Sequence, residues 1–81
     1  MVDAIYISVR AALDLAIAEK ATIRLVLRGD LERGRPIRMI DGEPYEVGVG
    51  PDGRERVFMR IAESTEQIVL VDRIARVLSE A

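Results

Sequence analysis

The first twenty residues place apolar side chains at spacings of three and four, which is the period of an α-helix. One apolar stripe is formed by Ile5, Val9, Ala12, Leu13, Ala16 and Ile17. A second stripe lies on another face and is formed by Ala4, Ala11, Leu15 and Ala18. The pattern predicts a helix over residues 3–20 with Asp3 as its N-cap. Residues 5–9 also have strand propensity.

From Thr22 onward the apolar period changes to two, as in half-buried strands. Alternating segments occupy residues 23–27, 37–39, 45–49 and 57–61, and a continuous apolar run covers 68–71. Turn residues separate these segments at 29–34, 41–42 and 51–53. The pattern predicts about five short antiparallel strands over residues 22–78, with residues 74–80 fitting either a last strand or a helical turn.

Hairpin loops of three residues, at 41–43 and 51–53, keep charged side chains off the apolar face of these strands. This register sets Met39 opposite Tyr45, Val47 opposite Val57, and Glu46 opposite Phe58. The side chains expected to point inward are Ile23, Leu25, Leu27, Val47, Val57, Met59 and Ile61. The outer face then carries the row Arg38–Glu46–Phe58, flanked by Arg56 and Arg60.

These elements predict an α+β fold that is mostly β. An N-terminal helix (residues 3–20) precedes a small five-stranded antiparallel barrel of the SH3-like or Sm-like kind (residues 22–78). A chain of 81 residues allows one domain, and closure of a barrel would remove exposed strand edges.

Residue usage argues against an enzyme and against a bound cofactor or metal. The chain has no Cys and no His, so it has no thiol nucleophile and lacks the commonest general base and transition-metal ligand. No glycine-rich phosphate loop is present, and the acidic pairs at the turns offer only two carboxylates each, too few for a hard cation.

The type of basic residue is more informative than the net charge. The net charge is −2, yet Lys20 is the only lysine among the 12 basic residues and the others are arginines. Arg38, Arg56 and Arg60 around Phe58 form a candidate contact face for a protein or a single-stranded nucleic acid. The alternative is a solvated face on which Glu46 pairs with the arginines.

The second stripe of the helix predicts self-association. One chain of this length can cover only one side of the helix, so Ala4, Ala11, Leu15 and Ala18 are expected at a homo-oligomer interface. No segment has the length and apolarity of a membrane span or a signal peptide, so we expect a cytoplasmic protein without membrane contact.

The second half of the chain resembles the WYL domain, a small Sm-like barrel attached to many bacterial transcriptional regulators. Pro44–Val47 stands at the family's naming strand, although Pro and Glu replace its Trp and Leu, and Val71–Ile74 stands at its closing segment Leu-Asp-Arg-Ile. The helix leading into residues 22–24 is also similar to the short Rho-binding antitermination inhibitors. The resemblance implies a regulatory barrel in which Arg73 contributes to ligand or partner contact.

The sequence thus predicts a non-enzymatic regulatory binding module that contacts a protein or nucleic-acid partner. The main alternative is a structural or assembly subunit that docks through its apolar helix. A third interpretation is an RNA-binding Sm-like ring.

Overall fold

The computed structural model describes residues 4–29 and 31–79, with side chains for 8–29 and 32–79. Its elements are α1 (Ala4–Glu19), β1 (Ile23–Leu27), β2 (Arg38–Val49), β3 (Glu55–Ala62), β4 (Thr65–Leu70) and β5 (Ile74–Ser79). Two single-turn 3₁₀ helices, Leu31–Arg33 and Val71–Arg73, precede β2 and β5. The predicted α+β class, mostly strand, is confirmed, and residues 74–79 take the strand alternative. The predicted cap Asp3 lies outside the described residues.

The helix ends in a Schellman arrangement built on a residue other than glycine. Lys20 has a φ of 54°, and the N–H of Ala21 donates to the carbonyl of Ala16 at 3.0 Å while that of Lys20 donates to Ile17 at 3.3 Å. These bonds satisfy carbonyls that the last helical turn leaves free. The left-handed residue then redirects the chain into β1.

The five strands form one antiparallel sheet in the order β4-β3-β2-β1-β5. Three residues, Val71–Arg73, connect β4 to β5, although these strands lie at opposite edges. In a flat sheet the two ends of this connection would lie ten residues apart along β2, because Leu70 is aligned with Gly48 and Ile74 with Arg38. That is about 33 Å, whereas four residue steps span at most about 14 Å. The sheet must therefore be strongly curved.

The curvature does not close the sheet. Among the described residues β4 and β5 do not pair, so both remain edges and the expectation of a closed barrel is wrong on this point. α1 packs against β2, β5 and the second 3₁₀ turn. Arg10 of the helix also donates to the Glu55 carboxylate at the start of β3, at 3.0 Å.

The predicted loop at residues 41–43 is wrong, because β2 runs without interruption from Arg38 to Val49. Its first part pairs with β1, up to Gly42 opposite Ile23, and its second part pairs with β3 from Glu43 onward. A Cβ on Gly42 would lie 2.8 Å from the carbonyl oxygen of Arg60. Gly42 therefore permits a close approach of two strands where β2 changes partner, a recognised use of glycine within strands.

Asp41 has a strand role as well. It lies opposite Arg24 across the β1–β2 ladder, and the guanidinium donates to both carboxylate oxygens at 2.6 and 3.1 Å. The hydrogen bond from Arg24 lowers the pKa of Asp41 below its ordinary value. The Asp-Gly pair that suggested a turn is thus explained by a cross-strand ion pair and a close strand contact.

The second predicted hairpin is confirmed with its register. Val47 lies opposite Val57 and Glu46 opposite Phe58, and Gly53 has the positive φ of 77° expected of the loop glycine. The N–H of Gly50 donates to the carbonyl of Arg54 at 3.1 Å and closes the three-residue loop.

Six of the seven side chains that were expected inside contribute to the core, whereas Met39, expected on the same face opposite Tyr45, is 63% exposed. The fully or nearly buried apolar residues of the core are Val9, Leu13, Ala16, Ile23, Leu25, Ile40, Val57, Met59, Val69, Val71 and Ile74. Of the seven side chains expected inside, four belong to this set, and Leu27 and Val47 are half-buried against it. Ile61 is wrongly placed by the prediction: the β3–β4 register shifts between Arg60 and Ala62, and Ile61 is exposed.

Candidate functional site

An aromatic patch lies on the outer face of β2, β3 and β4 and consists of Tyr45, Phe58, Arg60, Glu66 and Ile68. The Tyr45 and Phe58 ring centroids are 6.2 Å apart with planes inclined by 41°, within the range of favourable aromatic pairs. The guanidinium carbon of Arg60 lies 5.5 Å from the Tyr45 ring centroid, a cation–π distance. Two predicted site residues, Phe58 and Arg60, therefore do lie together.

Tyr45 reaches the outer face through a β-bulge. The β2–β3 register shifts between Pro44 and Glu46, so Tyr45 is the extra residue, and Pro44 remains buried opposite Met59. Strict alternation placed Tyr45 inside, opposite Met39, and that prediction is wrong. Proline within a strand is typical of bulges, so Pro44 is the sequence signal that could have identified this residue.

Glu66 fixes the Tyr45 ring in place. The Tyr45 hydroxyl donates to a Glu66 carboxylate oxygen at 2.9 Å. This hydrogen bond, with smaller contributions from desolvation and nearby charge, raises the pKa of Tyr45 above its ordinary value. The hydroxyl is therefore a neutral donor at physiological pH, and the ring presents its face to Arg60.

Ile68 extends the patch on the edge strand β4. It lies opposite Phe58 and is 58% exposed, although a continuous apolar run such as 68–71 is typical of a strand buried on both faces or at a barrel seam. Ile68 lies on the outer face of an edge strand that no described element covers, whereas Val69 on the inner face is buried. An exposed isoleucine beside two aromatic rings enlarges the apolar part of the patch.

Arg56 lies on the same outer face, but its side chain binds to the hairpin loop between β2 and β3. Its guanidinium donates to Asp52 at 2.7 Å, and a Cβ on Gly50 would meet that guanidinium at 2.5 Å. The backbone N–H of Arg54 is the main cause of the lowered Asp52 pKa, and Arg56 adds to it. Arg56 is thus half-buried and paired at the hairpin instead of being presented with Arg60.

Arg38 and Arg73 lie away from the aromatic patch. Because β2 continues through residues 41 and 42, Arg38 stands eight positions from Glu46 on the same strand, opposite Leu27. The predicted row Arg38–Glu46–Phe58 is wrong in its first member. Arg38 instead lines a concavity of about 380 Å³ with Arg73, Arg28 and Arg35. We call these four side chains the arginine pocket.

The exposed face of α1 carries the remaining candidates. Ala11, Leu15 and Ala18 are exposed, and Leu15 is 58% exposed; the side chain of Ala4 lies outside the described set. Beside this face a small groove of about 120 Å³, lined in part by Leu15 and Val77, runs between α1 and the edge strand β5.

Residues 4–29 and 31–79 contain neither a cluster suited to a metal ion nor a helix suited to a membrane. No group of three or more acidic residues there lies close enough to hold a metal ion. No helix in these ranges is both long and apolar enough to cross a membrane.

The comparisons with known proteins add no relative. Searches against protein-family models, curated proteins and solved structures find no match for this chain.

Proposed function

We propose that this chain is a non-enzymatic module that binds a protein partner through the aromatic patch. The observation that carries the proposal is the grouping of Tyr45, Phe58 and Arg60 with the exposed Ile68 on an uncovered sheet face. Tyr and Arg are enriched among residues that dominate the energy of protein interfaces. The resemblance to the WYL domain adds that such a module would belong to transcriptional regulation.

The charge of the patch favours a protein over a nucleic acid. Arg60 is accompanied by Glu66 and by Glu46, which lies opposite Phe58, while the charge of Arg56 is offset by Asp52. A surface that follows a phosphate backbone needs a surplus of positive charge. The patch instead has an apolar centre with balanced charges around it, as protein interfaces do.

Arg60→Glu gives the test with the least risk to the fold, because Arg60 is exposed. The variant and the wild-type chain are used to capture cross-linked partners from cells of the source organism. Arg76→Glu, a charge reversal at another exposed position, on β5, is the matched control. We expect a protein captured by wild type and by Arg76→Glu but lost with Arg60→Glu. Identical capture by all three chains would contradict the proposal.

Single-stranded RNA provides the competing outcome. Labelled RNA is titrated with the same three chains at two salt concentrations. If the aromatic patch binds a protein, the three chains either do not bind RNA or bind it with equal affinity. RNA binding that falls steeply with salt and is lost only in Arg60→Glu would replace it with the nucleic-acid function.

A second proposal concerns assembly through α1, as a homo-oligomer or as a subunit of a larger complex. It is supported by Leu15, which is 58% exposed between Ala11 and Ala18 and borders the groove at β5. Sedimentation of the wild type at micromolar concentration should give a mass above the 9.0 kDa of one chain. Leu15→Glu should give a monomer, and Thr65→Glu, on exposed β4, should not. A monomeric wild type would leave only docking to a different chain.

A further inference from the structure

The arginine pocket brings together side chains from four separate segments. Arg28 directly follows β1, Arg35 lies between the first 3₁₀ turn and β2, Arg38 begins β2, and Arg73 ends the second 3₁₀ turn. Leu27 and Pro36 contribute apolar wall. The four arginines line one concavity because Leu27, which directly precedes Arg28, lies opposite both Arg38 on β2 and Ile74 on β5.

Backbone contacts hold these segments together. The N–H of Arg28 donates to the carbonyl of Arg73 at 2.8 Å. A Cβ on Gly29 would lie 2.9 Å from the amide nitrogen of Ile37 and 3.1 Å from the carbonyl oxygen of Arg35. The strands and loops around the pocket are therefore in close contact, and Gly29 is the residue that allows it.

The positive charge of the pocket is not neutralised within the described part of the chain. None of the four arginines makes an ion pair or hydrogen bond through its side chain with a described residue, whereas Arg10, Arg24, Arg54 and Arg56 all do. Asp72, next to Arg73 in sequence, is held by the Arg54 guanidinium at 2.8 and 3.0 Å. In a chain of net charge −2, unpaired arginines are thus concentrated at one concavity.

Four like charges in one concavity repel each other, and a multiply charged anion relieves that repulsion. Guanidinium groups bind phosphate oxygens in pairs with fixed geometry. No aromatic side chain lines the described wall, so the pocket lacks a surface on which a base would stack. Its volume of about 380 Å³ lies within the range of small-ligand sites, about 300–1,000 Å³.

We propose that the arginine pocket binds the diphosphate or triphosphate group of a small ligand. The site shares no residue with the aromatic patch. The proposal therefore does not depend on the proposed protein contact. Free pyrophosphate and a nucleoside triphosphate share the recognised chemistry, so both serve as probes.

Isothermal titration calorimetry of the full chain with inorganic pyrophosphate and with ATP tests the proposal. We expect saturable binding that weakens as salt rises. Arg38→Gln combined with Arg73→Gln should lower the affinity at least about tenfold for each guanidinium removed, since each loses charged hydrogen bonds. Arg35→Gln, in an exposed loop, is the second variant in case the double substitution disturbs the fold. Arg76→Gln and Arg60→Gln should bind as wild type does.

Three results would overturn the proposal. The first is no heat change with either probe at millimolar concentration and low salt. The second is binding that the pocket variants leave unchanged. The third is tight binding of single-stranded RNA by a chain that binds neither probe, which would identify a nucleic-acid surface. Stronger binding of ATP than of pyrophosphate supports a nucleotide source, and equal binding supports recognition of the phosphates alone.

Discussion

Gly42 provides a direct test of the continuous, bent β2. A Cβ at this position would lie 2.8 Å from the Arg60 carbonyl oxygen, 2.9 Å from Ile61 Cδ1 and 3.2 Å from Met59 Cε. The two side-chain ends can rotate away. The carbonyl oxygen belongs to the paired backbone of β3, where Arg60 lies opposite Glu43, and it cannot retreat without disturbing the ladder.

Two opposing effects set the size of the change in Gly42→Ala. Overpacking of a close contact costs about 1–3 kcal/mol. Gly42 is not among the glycines with positive φ, so alanine also restricts the unfolded chain, which stabilises by about 0.4–1 kcal/mol. We therefore expect a net loss of about 1–2 kcal/mol in the free energy of unfolding, with Tm falling by about 4–8 °C for each kcal/mol.

Gly48→Ala is the matched control on the same strand. A Cβ on Gly48 would meet only Phe58 Cε2, at 3.5 Å, which is ordinary van der Waals contact. This variant should be as stable as wild type or up to about 1 kcal/mol more stable. Urea and thermal unfolding followed by far-UV circular dichroism measure both variants under the same conditions.

The variant Gly42→Asn distinguishes a strand conformation at position 42 from a turn conformation. Asn is tolerated at a positive-φ turn position, but in the strand its larger side chain should be at least as harmful as alanine. If Gly42→Ala and Gly42→Asn both unfold at the urea midpoint of Gly48→Ala, the close approach of β2 and β3 does not exist and the reasoning is refuted.

Four further variants test other parts of the fold. Lys20→Gly should stabilise by about 0.5–1 kcal/mol in urea unfolding, because glycine relieves the left-handed strain; a loss of stability would contradict the helix end. Leu13→Ala should cost about 2–5 kcal/mol as a core truncation, and a change near zero would place Leu13 outside the core. Asp41 has a lowered pKa, so its contribution is present above the unfolded pKa and is lost as pH falls through the folded pKa. The urea midpoint of wild type should therefore drop more than that of Asp41→Asn between about pH 5 and pH 2. Glu66→Gln should lower the Tyr45 pKa in a spectroscopic titration, and an unchanged curve would show that the hydrogen bond is absent.

Local patterns in the sequence were sufficient for the helix and for one hairpin. The apolar spacing of Val9, Leu13 and Ala16 identifies the buried face of α1 without tertiary information. Gly53 in the loop and the alternation on both sides fixed the β2–β3 register, because a slip of one residue would have exposed Val57.

The two bulged positions show where strict alternation fails. Tyr45 and Ile61 each lie at a register shift, between Pro44 and Glu46 and between Arg60 and Ala62. An extra residue in a strand changes which face the next side chains point to, and the pattern of apolar residues does not reveal it. Gly42 was misread because a close strand contact and a turn use the same residue. Local sequence cannot distinguish them, since the contacting atoms come from β3.

The arginine pocket was beyond sequence reasoning for a different reason. Arg38 and Arg73 were both predicted as contact residues, but for different surfaces, and no local pattern placed Arg28 and Arg35 beside them. Arg28, Arg38 and Arg73 lie close together because β1 pairs with β2 on one side and with β5 on the other, with Leu27 opposite both Arg38 and Ile74. This pairing joins segments that are far apart in the sequence. The aromatic patch was predicted in part, because Phe58 and Arg60 are neighbours on the same strand face.

At Gly42, β2 changes its partner from β1 to β3, which divides the sheet into two parts. The two parts differ in how far apart in the sequence their paired residues lie. The second half of β2, β3 and β4 form a meander whose contacts are local, whereas β5 pairs with β1 across most of the chain, with Ser79 opposite Ile23. Local contacts form at low entropic cost, and distant ones come late. The meander is therefore expected to fold first, and the seam between β1 and β5 to close last. Amide hydrogens of the seam should exchange through partial opening while those of the meander remain protected.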